Sequence, residues 1–265
     1  KTPPIHRDPF AVRPITSVTV VSAGTNYFLG DTINVTDATG SGAVLTLVTS
    51  DTNTILSVII ENGGRDYTSP NLTITSAAGV GGVLTATLGP SEGTWPSTVC
   101  YFQQRKCFGG SDNLPQAIWM TKPGSFNDMD ISNPSRNDDA ITISLVSTQV
   151  NEIRHMIPMP SGLIVLTSYG AWQVSGGQQN SPVTPTNVTA QAQAYSGSSH
   201  IPPVVVNYNI IYVQDKNAAV RDLTYNFFTN IYTGTDVTIL SSHLFFGYQL
   251  VSMCYAEEPF KIIWA

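Results

Sequence analysis

The sequence predicts an all-β protein: propeller-like four-stranded blades, incomplete over this length, preceded by a small two-repeat β module. Three observations lead there. No window of a dozen residues carries a helical period, and the apolar residues are largely Val, Ile, Tyr and Phe amid abundant Gly, Pro, Thr and Ser. A strand–turn–strand outline recurs four times in the second half. The first third contains an internal repeat.

The hairpins set the architecture. Val99–Met120 reads as two strands, 99–108 and 116–120, around the turn formers Gly109-Gly110-Ser111-Asp112-Asn113. The same outline returns in Leu163–Val174 around Ser-Tyr-Gly, in Asn209–Tyr225 around Asp-Lys-Asn, and in Val251–Trp264 around Glu-Glu-Pro. The second strands end at Trp119, Trp172, Leu223–Tyr225 and Trp264, a recurrence of roughly 40–50 residues. That is the span of a four-stranded propeller blade. An irregular sandwich can produce similar spacing, so the pattern leaves both open.

Residues 1–14 carry four prolines and no periodicity, and read as an extended connector. Residues 15–88 hold two copies of one unit: Ile15, Val18, Gly24 and Tyr27 match Ile55, Val58, Gly64 and Tyr67 at an offset of 40. At an offset of 39, Ile33, Val35, Gly40, Gly42 and Leu45 match Leu72, Ile74, Gly79, Gly81 and Leu84. Each copy reads as strand, Gly-x-x-Tyr turn, short strand, Gly-x-Gly turn, strand. The glycines serve positive φ, and the tyrosine lies over the strands as a packing lid. No helix follows either Gly-x-Gly pair, so the phosphate-cradle reading fails. Residues 89–98 form a linker and 99–265 the blades, with Asn127–Asn137 and Gly176–His200 as polar surface loops. The start on Lys1 and the end within a predicted strand suggest a piece of a longer protein.

Only 11% of residues are charged, against roughly 25% in ordinary soluble domains. Such a surface is built from Thr, Ser, Asn and Gln, or is covered by neighbours. The net charge is −6, and the densest basic spot is Arg105-Lys106. A groove that grips nucleic acid needs several converging cations, and none is seen. No apolar run approaches the length of a membrane span and no signal peptide is visible. Of the three cysteines, Cys100 and Cys107 fall in one predicted strand on opposite sides of its pleat, which argues against a bridge. With Cys254 they read as buried thiols of a protein folded in a reducing cytoplasm.

YFQQRKCFGGSDNLPQAIWMTKPGSFNDM, DDAITISLVSTQVNEIRHMIPMPSGLIVLTSYGAWQVSGG and VSMCYAEEPFKIIWA together resemble the tail nozzle proteins of short-tailed bacteriophages, also called tail tubular protein B. The resemblance covers about 99–265, and the 15–88 repeats resemble Gly-x-x-Tyr β modules inserted into phage structural proteins. It implies a non-enzymatic virion protein of the phage tail, assembled in the bacterial host cytoplasm. It further implies a homo-oligomeric ring, usually of six subunits, below the portal and adaptor proteins. The channel of that ring passes DNA transiently, without tight binding. Family members are much longer than 265 residues, so this chain corresponds to a central part. The alternative is a carbohydrate-binding or host-recognition module of a phage tail.

No catalytic, cofactor-binding or metal residues are assigned. Asp128, Asp130, Asp138 and Asp139 are the one dense carboxylate group. Ca²⁺ takes six to eight oxygens, but the Asp-x-Asp-x-Asp-Gly loop is absent and turn capping explains the cluster. His6, His155, His200 and His243 have no second ligand at metal spacing. YSGSS at 195–199 lacks the strand-to-helix setting of a nucleophile elbow, and Cys107 sits among apolar neighbours. Glu61, Glu92, Glu152, Glu257 and Glu258 form no catalytic pair for a glycosidase. Trp119, Trp172 and Trp264 recur at equivalent strand positions, which points to packing between blades, with sugar stacking as the alternative. Trp95, in the linker, is the candidate for surface contact.

Overall fold

The computed structural model describes residues 5–177, 181–216, 219–228, 231–245 and 247–265. Asn217 of the predicted Asp-Lys-Asn turn, residues 1–4 of the connector and residues 178–180 of the second polar loop lie outside them. The protein is all-β, 49% strand and 3% helix. No helix among the described residues is long and apolar enough to cross a membrane. The chain divides into two compact units, residues 1–95 with 128–140, and residues 96–127 with 141–265.

The first unit contains three strands from each repeat. These are β1 (Ile15–Thr25), β2 (Thr32–Thr36) and β3 (Ser41–Thr49), then β4 (Ile55–Arg65), β5 (Asn71–Thr75) and β6 (Val80–Leu88). The repeats do not close on themselves. β3 and β4, joined by a tight turn in which Ser50 and Thr54 pair, form a hairpin across the repeat boundary, and β1 pairs with β6. The two ladders correspond residue for residue: Val18↔Ala86 answers Val58↔Leu47, and Val20↔Leu84 answers Ile60↔Leu45. Both carry a bulge at the same place, after Val20 and before Leu45. β2 pairs with β5 about Asn34↔Thr73, which are themselves equivalent positions, so a local two-fold axis passes between them.

The tyrosines explain the glycines. Tyr27 and Tyr67 are buried, and their hydroxyls accept the backbone N–H of Gly82 (3.1 Å) and Ala43 (3.0 Å) respectively, each in the other repeat. A Cβ on Gly40 would lie 2.2 Å from the Tyr67 ring, and one on Gly79 would lie 2.4 Å from the Tyr27 ring. Gly40 and Gly79 are therefore seats for a ring from the opposite repeat. Gly24 and Gly64 combine positive φ with the same ring contact. Around the rings, Ile33, Leu45, Leu47, Ile55 and Leu84 make the core.

Two expectations change here. The described part of the predicted connector is hydrogen-bonded into the unit: Asp66 N–H donates to Val12, Arg13 N–H to Pro90 and Gly89 N–H to Pro14. Residues 128–140, expected with the blades, pack in the first unit, where Ile131 bridges Ile5.

The second unit is a succession of antiparallel sheets whose strands follow chain order. The first sheet is β7 (Thr98–Phe102), β8 (Arg105–Gly109), β9 (Ala117–Met120) and β10 (Ile141–Ser144). The next is β11 (Ile153–Met159), β12 (Gly162–Thr167), β13 (Ala171–Ser175) and β14 (Thr189–Ala194). The third is β15 (Val204–Val206), β16 (Asn209–Val213), β17 (Val220–Asn226) and β18 (Ile231–Asp236). The strand pair β19 (Cys254–Ala256) and β20 (Ile262–Trp264) follows. Three of the predicted hairpins are β12–β13, β16–β17 and β19–β20.

The sheets stack face to face. One apolar layer joins Cys107, Ile118 and Met120 of the first sheet to Met156, Leu163 and Val165 of the second. Another joins Ile164 and Leu166 to Ile210, Tyr212 and Leu223 of the third. A third joins Val213 and Val220 to Met253. Successive side chains of a strand point to opposite faces, so β12 feeds both neighbouring layers and every one of its residues is buried. None of the sheets closes on itself.

The predicted first strand, 99–108, is two strands. The chain reverses at Gln103-Gln104, both with positive φ (46° and 60°), and Cys100 pairs directly with Cys107. The reason is turn chemistry: a two-residue turn of this kind is usually marked by Asn-Gly or Asp-Gly, and Gln-Gln gives no such signal. The two thiols, placed on opposite faces by the single-strand reading, are therefore cross-strand neighbours. Both are free, and the hydrogen bond between them together with burial pushes the Cys107 thiol pKa up. Cys254, expected to be buried, is exposed. The polar loop 176–200 also contains a strand, β14, whose TAQAQA sequence carries no apolar alternation.

Candidate functional site

The acidic loop organises itself rather than presenting its carboxylates together. Buried Asp139 accepts from the backbone N–H of Ser132 (3.0 Å) and Arg136 (2.7 Å) and from Ser132 Oγ (2.8 Å). Asp128 caps the N–H of Asp130 at 2.9 Å, and Asp130 pairs with the His6 imidazole. Asp138 has an exposed side chain. Among the described residues no group of three or more His, Cys, Asp or Glu is arranged to hold a metal ion. The turn-cap reading describes Asp128 and Asp139, and the sequence gives no sign of the Asp130 partnership with His6.

The histidines do not converge. His155 on β11 is half-buried and its Nε2 lies 3.1 Å from the Ser199 carbonyl. Burial, with the nearby His200 and Arg154, holds its pKa below the ordinary histidine value. The adjacent Arg154 guanidinium donates to the Ser198 carbonyl and to Asp215, tying β11 to the segment before β15 and to the chain just past the end of β16. In the 195–199 run Ser198 and Ser199 are buried and hydrogen-bonded to backbone: Ser198 Oγ donates to the Ser199 carbonyl. The basic pair is engaged internally. Arg105 is buried with its Nη1 donating to the Thr121 carbonyl at 2.7 Å, and the Lys106 ammonium sits 5.0 Å from the Phe108 ring centre.

The tryptophans divide. Trp119 is buried in the first sheet, whereas Trp264 is 62% exposed rather than packed between sheets. Trp95 is 72% exposed, as a surface candidate should be. Trp172 on β13 packs one side against the first apolar layer and lines a cleft of about 170 Å³ with the other.

The construction of that cleft is local. Thr167 Oγ1 donates to the Gly170 carbonyl (2.8 Å) and accepts the Gly170 N–H (3.0 Å), which fixes the β12–β13 turn and its Tyr169. Gly170 lets that turn press on the end of β14, since a Cβ there would meet the Ala194 carbonyl at 2.4 Å. Opposite Trp172 in the ladder stands Ala192, too small to cover the indole. The 147–151 loop forms the remaining wall, its Gln149 carbonyl accepting from Gln116 Nε2 at 2.8 Å. Asn151 is held beside the turn because its neighbour Glu152 exchanges hydrogen bonds with Ser168. The sequence singles out Trp172 but not Asn151, Tyr169 or Tyr195, which only the folded turn brings together.

No known protein-family model matches the chain, and no curated protein matches it in sequence.

Proposed function

We propose that the chain is a structural component of a phage virion, a nozzle-like subunit of a tail ring that helps form the conduit for DNA ejection. The observation that carries this reading is the face-to-face stacking of four-stranded meanders in the second unit, with β12 buried on both sides. Blades of a propeller are built in this way, each sheet covering the next, and the resemblance of 99–265 to nozzle proteins lies in the same strands. In this reading the partners are further copies of the chain's parent protein, six to a ring, and the portal, adaptor and other tail proteins. The first unit is a module carried on the assembly.

A conduit must let a polyanion slide. Each phosphate held by a Lys or Arg adds affinity through counterion release, so a basic lining would retain DNA. The net charge of −6 and the internal engagement of Arg105 and Lys106 favour a wall that does not. An anisotropy titration with duplex DNA at low salt tests this. The expected result is no saturable binding in the micromolar range. Micromolar binding that weakens steeply with salt contradicts the proposal.

A further inference from the structure

We propose that the cleft beside the β12–β13 turn is a binding site for a neutral saccharide, taking one sugar ring or the end of a glycan. This goes beyond the conduit role, which needs no small ligand. Three features select the ligand class. Aromatic faces come first: Tyr169 is 56% exposed, Tyr195 is 89% exposed, and the indole of Trp172 is left open by Ala192. An aromatic ring in water at a cleft wall is a platform for the apolar C–H face of a pyranose.

The second feature is an unsatisfied buried amide. Asn151 lines the cleft at 3% exposure, and its Oδ1 has no hydrogen-bond partner among the described residues. A buried acceptor without a partner costs roughly 1–3 kcal/mol, and because this oxygen is closed to solvent a sugar hydroxyl reaches it only when the 147–151 loop yields. The third is the absence of formal charge. Ser147, Thr148 and Gln149 supply hydroxyl and amide groups, and among the described residues no Asp, Glu, Lys, Arg or His lines the cleft. A phosphodiester or uronic acid finds no cation there, and a basic peptide finds no carboxylate. Stacking faces with neutral donors and acceptors match a neutral sugar.

The test uses the full chain and an array of neutral mono- and oligosaccharides of gluco, galacto, manno and N-acetylated types. Intrinsic tryptophan fluorescence and ligand-detected NMR provide the readouts. At least one saccharide should bind saturably, with a fluorescence change that is lost in Trp172→Phe. Tyr169→Ala and Tyr195→Ala should each weaken binding about 3- to 10-fold, the usual worth of one aromatic contact. Their rings are exposed, so these variants keep the fold, and unchanged thermal melts verify it. Asn151→Ala should also weaken binding, but Asn151 is buried and the two tyrosine variants carry the decision. Absence of saturable binding across the array, full affinity in both tyrosine variants, or binding confined to anionic saccharides or peptides overturns the proposal.

Discussion

The two units cover their sheets differently. In the first unit β1 alternates between exposed and half-buried residues, β4 is half-buried through most of its second half, and the deeply enclosed side chains, led by Tyr27 and Tyr67, are few. In the second, β12 has no exposed residue, and each sheet is a partner to the next. The first unit is thus held by a few large rings in glycine seats, doubled by local symmetry. The second is held by continuous aliphatic layers. A thinly covered unit concentrates its stability in a few positions, whereas a layered one distributes it.

The largest expected effect tests that concentration. Tyr67→Ala should cost about 3–5 kcal/mol, the range for deleting a large buried ring. Native-state hydrogen exchange should show protection falling throughout β1–β6. If β12 loses protection equally, the units do not unfold separately and the contrast fails. Leu166→Ala, in the strand that feeds two layers, should cost about 2–5 kcal/mol in urea unfolding, with exchange rising in β11–β18. Gly40→Ala should cost about 1–3 kcal/mol, because a Cβ there overlaps the Tyr67 ring and backbone. A neutral outcome at Gly40 would mean that the ring shifts freely and the glycine seat is not what holds the unit.

The smallest effects come with pH. His155 has a folded pKa below its unfolded value, so between those two values the unfolded chain binds more protons and stability rises with pH. Lowering the pH from 7 to 5 should therefore destabilise the second unit slightly, and His155→Gln should flatten that slope. Asp222 behaves in the same sense at lower pH. Burial alone would raise its pKa, but hydrogen bonds from Thr235 and Thr224 outweigh burial and lower it. Its contribution is present above the ordinary carboxylate pKa and is lost as pH falls through the folded value. A slope of opposite sign in the thermal melts would show that other groups dominate.

What the sequence reveals depends on whether a constraint is local. Turns such as Ser168-Tyr169-Gly170 announce themselves through residue type, and the hairpins around them are legible. The Gln103-Gln104 reversal is not, because nothing in glutamine favours positive φ, and the error carries directly into the Cys100–Cys107 relation. The repeat is visible because the closest approaches to the Tyr27 and Tyr67 rings, at Gly24, Gly40, Gly64 and Gly79, leave no room for a Cβ. Which strand pairs with which is not visible, since an alignment shows that β3 and β6 are equivalent without saying that each serves the other repeat. The cleft combines Asn151, Tyr169 and Tyr195, three residues unremarkable on their own, and the buried, unpartnered acceptor exists only once the 147–151 loop is pinned to the turn.

We propose a place for this chain in a phage tail assembly. Gold-labelled antibody against the 99–265 region, applied to particles purified from lysates of cells carrying the gene, tests it most directly. The account predicts label on the tail of intact particles and co-purification of the chain with them. Label confined to the soluble fraction, with particles bare, would contradict it.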